Sequence, residues 1–435
     1  MNNPFKKITN KKGVALIASY MVITVLLAFS GALFEISNWQ NKTTNTFKRQ
    51  AQATDIAEAG LDRALLWLRA QAVPPGSSTN PWGGAQNLGN PVIGNYSVVI
   101  TDLGSPGGSP SVKRYRIAST STVSGIPPQT LTNYLQTDNY ARYIWFTNRE
   151  QFGASNVWFW DQDRLNGPTH TNGHFNIKGT PVFIGEVQSV DTYIRYYNNG
   201  SNINSSNLSN SPYDLPDFHD TVTLGADATN MPTQALSLRA ASTDVGGLRL
   251  TGNSTVVLNS NGTMNVTNSA RGWNNQNMSL PANGALFVNS GTLNISGTLN
   301  GRLTAGASRD IIIPNNIIYA NDPRVHPTST DTLGIISEED IMINSSAPAN
   351  LEIDASLMAL NTSFMLQNYW VGPARGTLSV FGGIIQNQRG PVGTFSGTTK
   401  VSGYSKNYNY DQRLLNSPPP YVPTTGDYIT LSWEN

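Results

Sequence analysis

The chain of 435 residues is only 13% charged, with a formal net charge of +1, against ~25% charged residues in an average globular protein, so it offers no basic field for nucleic acid. It has no cysteine, which excludes a disulfide framework, a thiolate metal site and a cysteine nucleophile. Its 39 Gly and 25 Pro predict many turns, with helix confined to the N-terminus and room for two or three folding units.

In chain order, residues 1–13 form a basic leader, with Lys6, Lys7, Lys11 and Lys12 before Gly13. An apolar run, residues 14–34, follows from Val14 to Phe34. At ~1.5 Å per residue it is long enough to cross a hydrocarbon core of ~30 Å. The lysines should hold their flank in the cytoplasm, which places everything after Phe34 outside. A simple signal anchor has this pattern. A cleaved secretory signal also fits, with Ala28-Phe29-Ser30 as a passable cleavage site, although its apolar core is normally ~7 to 15 residues. A third reading comes from the continuation: Phe47, Ala51, Thr54, Ala57, Leu61, Leu65 and Leu68 recur at helical steps and no proline appears until Pro74. One helix over 14–72 is predicted, apolar in its first third and amphipathic beyond.

Lys11-Lys12-Gly13 before Val14-Ala15-Leu16-Ile17 resembles a prepilin leader with its peptidase site, and residues 51–61, Ala51-Gln52-Ala53-Thr54-Asp55-Ile56-Ala57-Glu58-Ala59-Gly60-Leu61, resemble the helix signature of PilX-type minor pilins. The resemblance covers about the first 70 residues and implies processing between Gly13 and Val14 by a prepilin peptidase. Val14 stands where the family usually has phenylalanine. Ala18 stands where major pilins carry a glutamate, and we read it as a determinant of position in a filament.

Pro74-Pro75-Gly76 ends the helix. Residues 92–140 are then expected to form a small pilin-like antiparallel sheet from Tyr96–Thr101, Val112–Ile117 and Thr130–Leu135, laid on the Ile56, Leu61, Leu65 and Leu68 side of the helix. The aromatic runs Tyr143-Ile144-Trp145-Phe146 and Val157-Trp158-Phe159-Trp160 are expected to pack a joint between units. From 143 to 405 short strands alternate with Gly, Asn and Ser turns, among them Val256-Val257-Leu258, Ile311-Ile312-Ile313, Ile341-Met342-Ile343 and residues 378–385. The expected fold is therefore mainly β: a long N-terminal helix, a small antiparallel sheet, then an irregular parallel β-helix (β-solenoid), with residues 406–435 as a C-terminal tail. A β-sandwich suits the same spacing. Gly167-Pro168-Thr169-His170-Thr171-Asn172-Gly173, residues 376–393 and Tyr410-Asp411-Gln412-Arg413-Leu414-Leu415 resemble a domain of unknown function often found behind PilX-type N-termini, over most of 140–435.

Chemistry is sparse. His170 and His174 lie in a strand-like segment that spaces them ~13 Å apart at ~3.3 Å per residue, too far for one ion. Asp161 to Gly167 echoes a calcium loop, but Leu165 holds the fifth position and no acid closes it. Glu338-Glu339-Asp340 offers paired carboxylates for glycan cleavage, though adjacent acids suit a solvated turn. No phosphate-binding loop, serine elbow or helical His-Glu pair is present. The expectation is a protein without enzymatic activity, cofactor or metal, acting in assembly or display in a type IV pilus or related secretion filament. Its partners would be the membrane, other pilins and the prepilin peptidase. An envelope-anchored or secreted β-solenoid that binds a surface or glycan is the second reading, and a carbohydrate-active β-helix enzyme the third.

Overall fold

The computed structural model describes residues 11–71, 73–106, 109–110, 112–396 and 399–434. Residues 1–10 of the basic leader and the glycines at 107 and 108 of the hairpin tip lie outside them. The described residues form two compact units: one holds the chain up to Thr101, Arg116–Tyr134 and the end from Thr430, the other Asp102–Tyr115 and Leu135–Ile429.

The first unit is built on helix α1, Lys11–Arg69. It contains an 18-residue window of mean hydropathy 2.2, none of it buried in the protein, so one N-terminal helix is long and apolar enough to cross a membrane. Further along, Ala53, Ile56, Ala57, Leu61, Ala64 and Leu68 are buried at three- and four-residue steps, the period of a single helix face. That face meets a sheet of hydrogen-bonded order Ser78–Thr79, Gly94–Asp102, Arg114–Val123, Gln129–Asn139, Thr424–Glu434, with Gln86–Leu88 also paired to Gly94–Asp102. Burial alternates along Gly94–Asp102, so one side of the strand is covered. Gly60 sets the spacing, because a Cβ there would lie 2.2 Å from Ser119 Oγ and 2.9 Å from Tyr96 Cδ2.

The second unit is dominated by parallel pairing. One ladder runs, in spatial order, through Leu248–Thr251, Ala285–Asn289, Arg302–Ala307, Thr332–Ser337, the second part of Leu351–Ala359, the end of Ala374–Gln388, Trp145–Arg149, Thr169–Thr171, Val187–Ser189 and Val222–Leu224. A second ladder runs alongside, from Ser254–Leu258 through Leu293–Leu299, Ile317–Tyr319, Leu351–Ala359, Ala374–Gln388, Thr399–Tyr410, Arg164–Asn166 and Val182–Phe183 to Asp217–Phe218. Ile311–Ile313, Ile341–Ile343 and Phe364–Leu366 make a shorter third. Parallel pairing of this extent departs from the antiparallel sheets of a β-sandwich.

The spatial order is not the chain order. The chain joins the ladders in their middle at Trp145, proceeds to one end at Leu224, crosses over, and resumes at the other end at Leu248. It then winds back until Ile384 pairs with Trp145 and Tyr408 with Leu165. Asparagines mark this seam. Asn172 Nδ2 donates to Asn148 Oδ1 (2.5 Å), Asn148 Nδ2 to Asn387 Oδ1 (2.9 Å) and Asn387 Nδ2 to the Asn361 carbonyl (2.7 Å).

Alternate side chains of the first ladder point into two different layers. Leu286, Val288, Leu333, Ile335, Leu357, Ile384 and Trp145 belong to the principal core. Phe287, Ile336, Met358, Ile385 and Phe146 point the other way, under Ala235, Leu238 and Ala241 of the crossover and under Leu414 and Val422. Helix is therefore not confined to the N-terminus, for the crossover contains α2, Leu236–Ala241, which forms because apolar residues two to three apart find a buried surface. Residues 406–435 are not a tail either. They finish the strand Thr399–Tyr410, cover the outer face of the first ladder, and end in the strand Thr424–Glu434.

Candidate functional site

The positions singled out in the sequence fall in separate places. Gly13, Val14 and Ala18 lie in the opening turns of α1, where Val14 is 71% exposed. His170 is buried on the outer side of the first ladder, its ring stacked on Phe146 at 5.1 Å. Its Nε2 lies 2.9 Å from Asn172 Oδ1 and its Nδ1 3.3 Å from Gln188 Oε1. Burial lowers its pKa, opposed by those two hydrogen bonds. His174 instead pairs with Asp191 (2.8 Å) and stacks on Tyr193. Among the described residues no cluster of three or more potential metal ligands occurs.

The acidic motifs also disperse. Glu338 is buried and accepts from Arg239 Nε (2.6 Å) and the Ala235 amide (3.0 Å), so it fastens α2 to the ladder. Glu339 is exposed, and Asp340 accepts from the Ser363 amide (3.0 Å). Asp161 and Asp163, paired in the calcium-like stretch, diverge: Asp161 accepts from the Thr180 amide (2.9 Å), while Asp163 turns into the core.

Sequence reasoning missed the group that Asp163 joins. Arg389 is fully buried at the seam, where Nη1 donates to Glu150 Oε2 (2.9 Å) and Nη2 to the Trp158 carbonyl (3.0 Å). Its guanidinium lies 3.5 Å from the centre of the Phe159 ring. Lys406 Nζ and Arg389 Nη2 share Asp163 Oδ2, at 2.6 and 3.7 Å. Glu150 Oε1 accepts from Trp145 Nε1 (3.1 Å) and from Thr147 Oγ1. Two cations from one side of the seam thus meet two carboxylates from the other. Burial pushes the Lys406 ammonium down, and Asp163 opposes it. Arg389, Glu150 and Asp163 are closed to solvent and only Lys406 reaches the surface, with its side chain 11% exposed, so the group's work is to hold the seam in register.

An open cleft of about 420 Å³ lies nearby on the surface, lined by Asp161, Lys178, Gly179, Thr180, Tyr197, Asn199, Tyr213 and Asp214. Its size falls within the ~300 to 1,000 Å³ of small-molecule sites. The core strands Asn176–Ile177 and Ile194–Tyr196 pair in parallel, which brings Lys178 and Tyr197, the residues just beyond them, to the same end. Lys178 Nζ lies 4.7 Å from the centre of the Tyr197 ring and 4.6 Å from that of Phe395. Phe395 stacks on Trp160 at 4.6 Å and Trp158 meets Tyr197 edge-on at 5.4 Å. Asp214, buried, accepts from the amides of Gly179 (2.9 Å) and Asn198 (2.8 Å) and from Asn210 Nδ2 (3.1 Å). Desolvation lowers the pKa of Lys178, against the pull of Asp161 and Asp214. Gly179 has φ +72° and a Cβ there would lie 1.7 Å from Asp161 Oδ1, so glycine permits both the turn and the approach of the carboxylate. Trp158 and Trp160, which the sequence places in a packing role, also support this cleft through Tyr197 and Phe395.

Among known proteins, a family described as a domain of unknown function (DUF4900) matches residues 105–191. That stretch includes Asp161, His170, Lys178 and the first strands of the ladders. No curated protein and no solved structure matches the chain.

Proposed function

We propose that this chain is a non-enzymatic, pilin-like protein of a type IV pilus or related secretion filament, held in the inner membrane by α1 before assembly and displaying its large β unit outside the cytoplasm. The observation that carries the reading is α1 itself. One helix presents a fully exposed apolar first part and then buries a single face against a small sheet, with Gly60 allowing close approach. An ordinary anchor has no need of an unbroken helix shared between lipid and a folded head. The ladders are read as successive coils of a parallel β-helix, supported by their parallel register and the asparagine stack. Glu338, held by Arg239, supports the non-enzymatic reading over the glycan-cleaving one.

Gly13 and Val14 flank the proposed prepilin peptidase cut, which would leave Val14 with a free amine. A filament of the resembling family pairs that amine with a carboxylate near the start of the incoming helix. Ala18 provides none. An uncompensated buried ammonium costs several kcal/mol, so addition beneath another subunit is disfavoured and a tip position is not. The test is mass spectrometry of the mature N-terminus together with immunogold labelling of sheared filaments. Expected are a start at Val14 and one cluster at a filament end. Regular labelling along the shaft defeats the tip assignment, and a start at Met1 with all protein in membrane fractions defeats the filament reading.

A further inference from the structure

We infer that the cleft bounded by Lys178, Tyr197 and Tyr213 is a binding site for a neutral saccharide. Three observations converge. First, the cleft pairs aromatic surface with polar groups at its rim: Tyr213 is 51% exposed and Tyr197 half-buried, beside Asp161, Thr180 and Asn199. A pyranose ring needs this combination, since its axial C–H face packs on an aromatic ring while its equatorial hydroxyls require acceptors and donors around the edge. Second, the floor is prearranged. Tyr197 is held by Trp158 and by the Lys178 ammonium, Lys178 is itself held against the Phe395 ring that stacks on Trp160 outside the cleft, and the turn that carries Gly179 is fixed by Asp214. A ligand therefore meets a surface whose ordering has largely been done on folding.

Third, the charges select among sugars. Two carboxylates, Asp161 and Asp214, face one ammonium, Lys178. A uronic or other acidic sugar would add a third negative charge, whereas uncharged hydroxyls can donate to Asp161 without that penalty. Nucleotides and phosphorylated ligands are disfavoured for the same reason. The inference deepens the display reading, on which its biological meaning rests. Binding by the purified protein needs no filament, so a failed titration leaves the filament reading intact and failed labelling leaves the binding intact.

The experiment is calorimetric titration of the full chain in detergent micelles with cellohexaose, maltohexaose, hexa-N-acetylchitohexaose and, as the acidic comparison, an oligogalacturonate. Expected is saturable binding of at least one neutral hexasaccharide and none of the oligogalacturonate. Tyr213→Ala, a change at a half-exposed ring that leaves the core untouched, should weaken binding at least about tenfold, the loss of one good stacking contact. Gly179→Ala, which drives Asp161 from its place, should abolish it, while Trp370→Ala, outside the cleft, should leave it unchanged. Binding of none of the neutral sugars overturns the proposal. So does preference for the acidic one, or wild-type affinity in Tyr213→Ala.

Discussion

Asp354 shows how a single buried carboxylate ties this fold to pH. It is 1% exposed, accepts one hydrogen bond from the Tyr319 amide (3.1 Å) and lies 3.5 Å from Arg324. Burial raises its pKa from the ordinary 3.8 to about 7, and the amide and Arg324 only partly oppose this. Between those values the unfolded chain has released a proton that the folded chain keeps, so stability from this site falls as pH rises from about 4 to 7 and is then level. Asp354→Asn should raise the melting temperature at pH 8 and change it little near pH 4; equal shifts at both pH values in calorimetry would refute the assignment. At the seam, Arg389→Met leaves Glu150 and Asp163 without their shared cation and should cost about 3 to 5 kcal/mol in urea unfolding followed by tryptophan fluorescence. A loss under ~1 kcal/mol, the value of an exposed pair, would place the cluster outside the seam's energetics. Little of this was legible. The sequence drew attention to His170, His174 and Glu338 by local spacing, whereas Arg389 and Glu150 are 239 residues apart and Lys406 and Asp163 243, and no local pattern encodes such pairs.

At the level of elements, periodicity carried most of the information. Of the three- and four-residue steps from Phe47 to Leu68, Ala57, Leu61 and Leu68 fall on the buried face of α1, Thr54 and Leu65 lie at its edge, and Phe47 and Ala51 are exposed, because the sheet covers only the later turns; the apolar run to Phe34 lies within the part with no protein cover. Gly60 was legible only as a family resemblance, and its physical reason, the nearness of Ser119, needs the sheet. Gly60→Val should lower the stability of the first unit by about 1 to 3 kcal/mol through overpacking, and Ser119→Gly in the same chain should restore part of it. No recovery in helical circular dichroism melts would mean that the clash lies elsewhere. The strand Thr424–Glu434 was missed because Gly426 and flanking polar residues resemble a tail, and α2 because six residues are too few to show a period.

For the whole molecule, the mainly β character and the long helix could be read from composition and spacing. The order of the strands could not, because every short Ile- and Val-rich run resembles every other, and register is decided by partners elsewhere in the chain. The central joining point has a direct test. Asp227 and Ala228 are exposed in the crossover, so a protease site inserted between them can be cut without opening a ladder. After cutting, residues up to 227 and those from 228 should elute together under native conditions and separate only in denaturant, held by the pairings of Ile384 with Trp145 and Tyr408 with Leu165 and by Thr424–Glu434 beside Gln129–Asn139. Fragments that part without denaturant would disprove the seam.

The same central joining point has a mechanical consequence. In a stack strung in chain order, tension on the N-terminal lead reaches a terminal strand, which can peel away one hydrogen-bonded pair at a time. Here the lead reaches Trp145, whose strand has a partner on either side, Thr169–Thr171 and Ala374–Gln388. Extraction must break both rows and drag Glu150 away from Arg389. The saccharide cleft, formed by residues 161–214, lies on the same early segment of chain as the lead, so a pull on bound ligand is carried along 145–214 and shared with the late chain, both through the strands from Leu248 onward and through Thr424–Glu434 beside Gln129–Asn139. Such an attachment resists sudden force better than its modest hydrogen-bond count per strand implies.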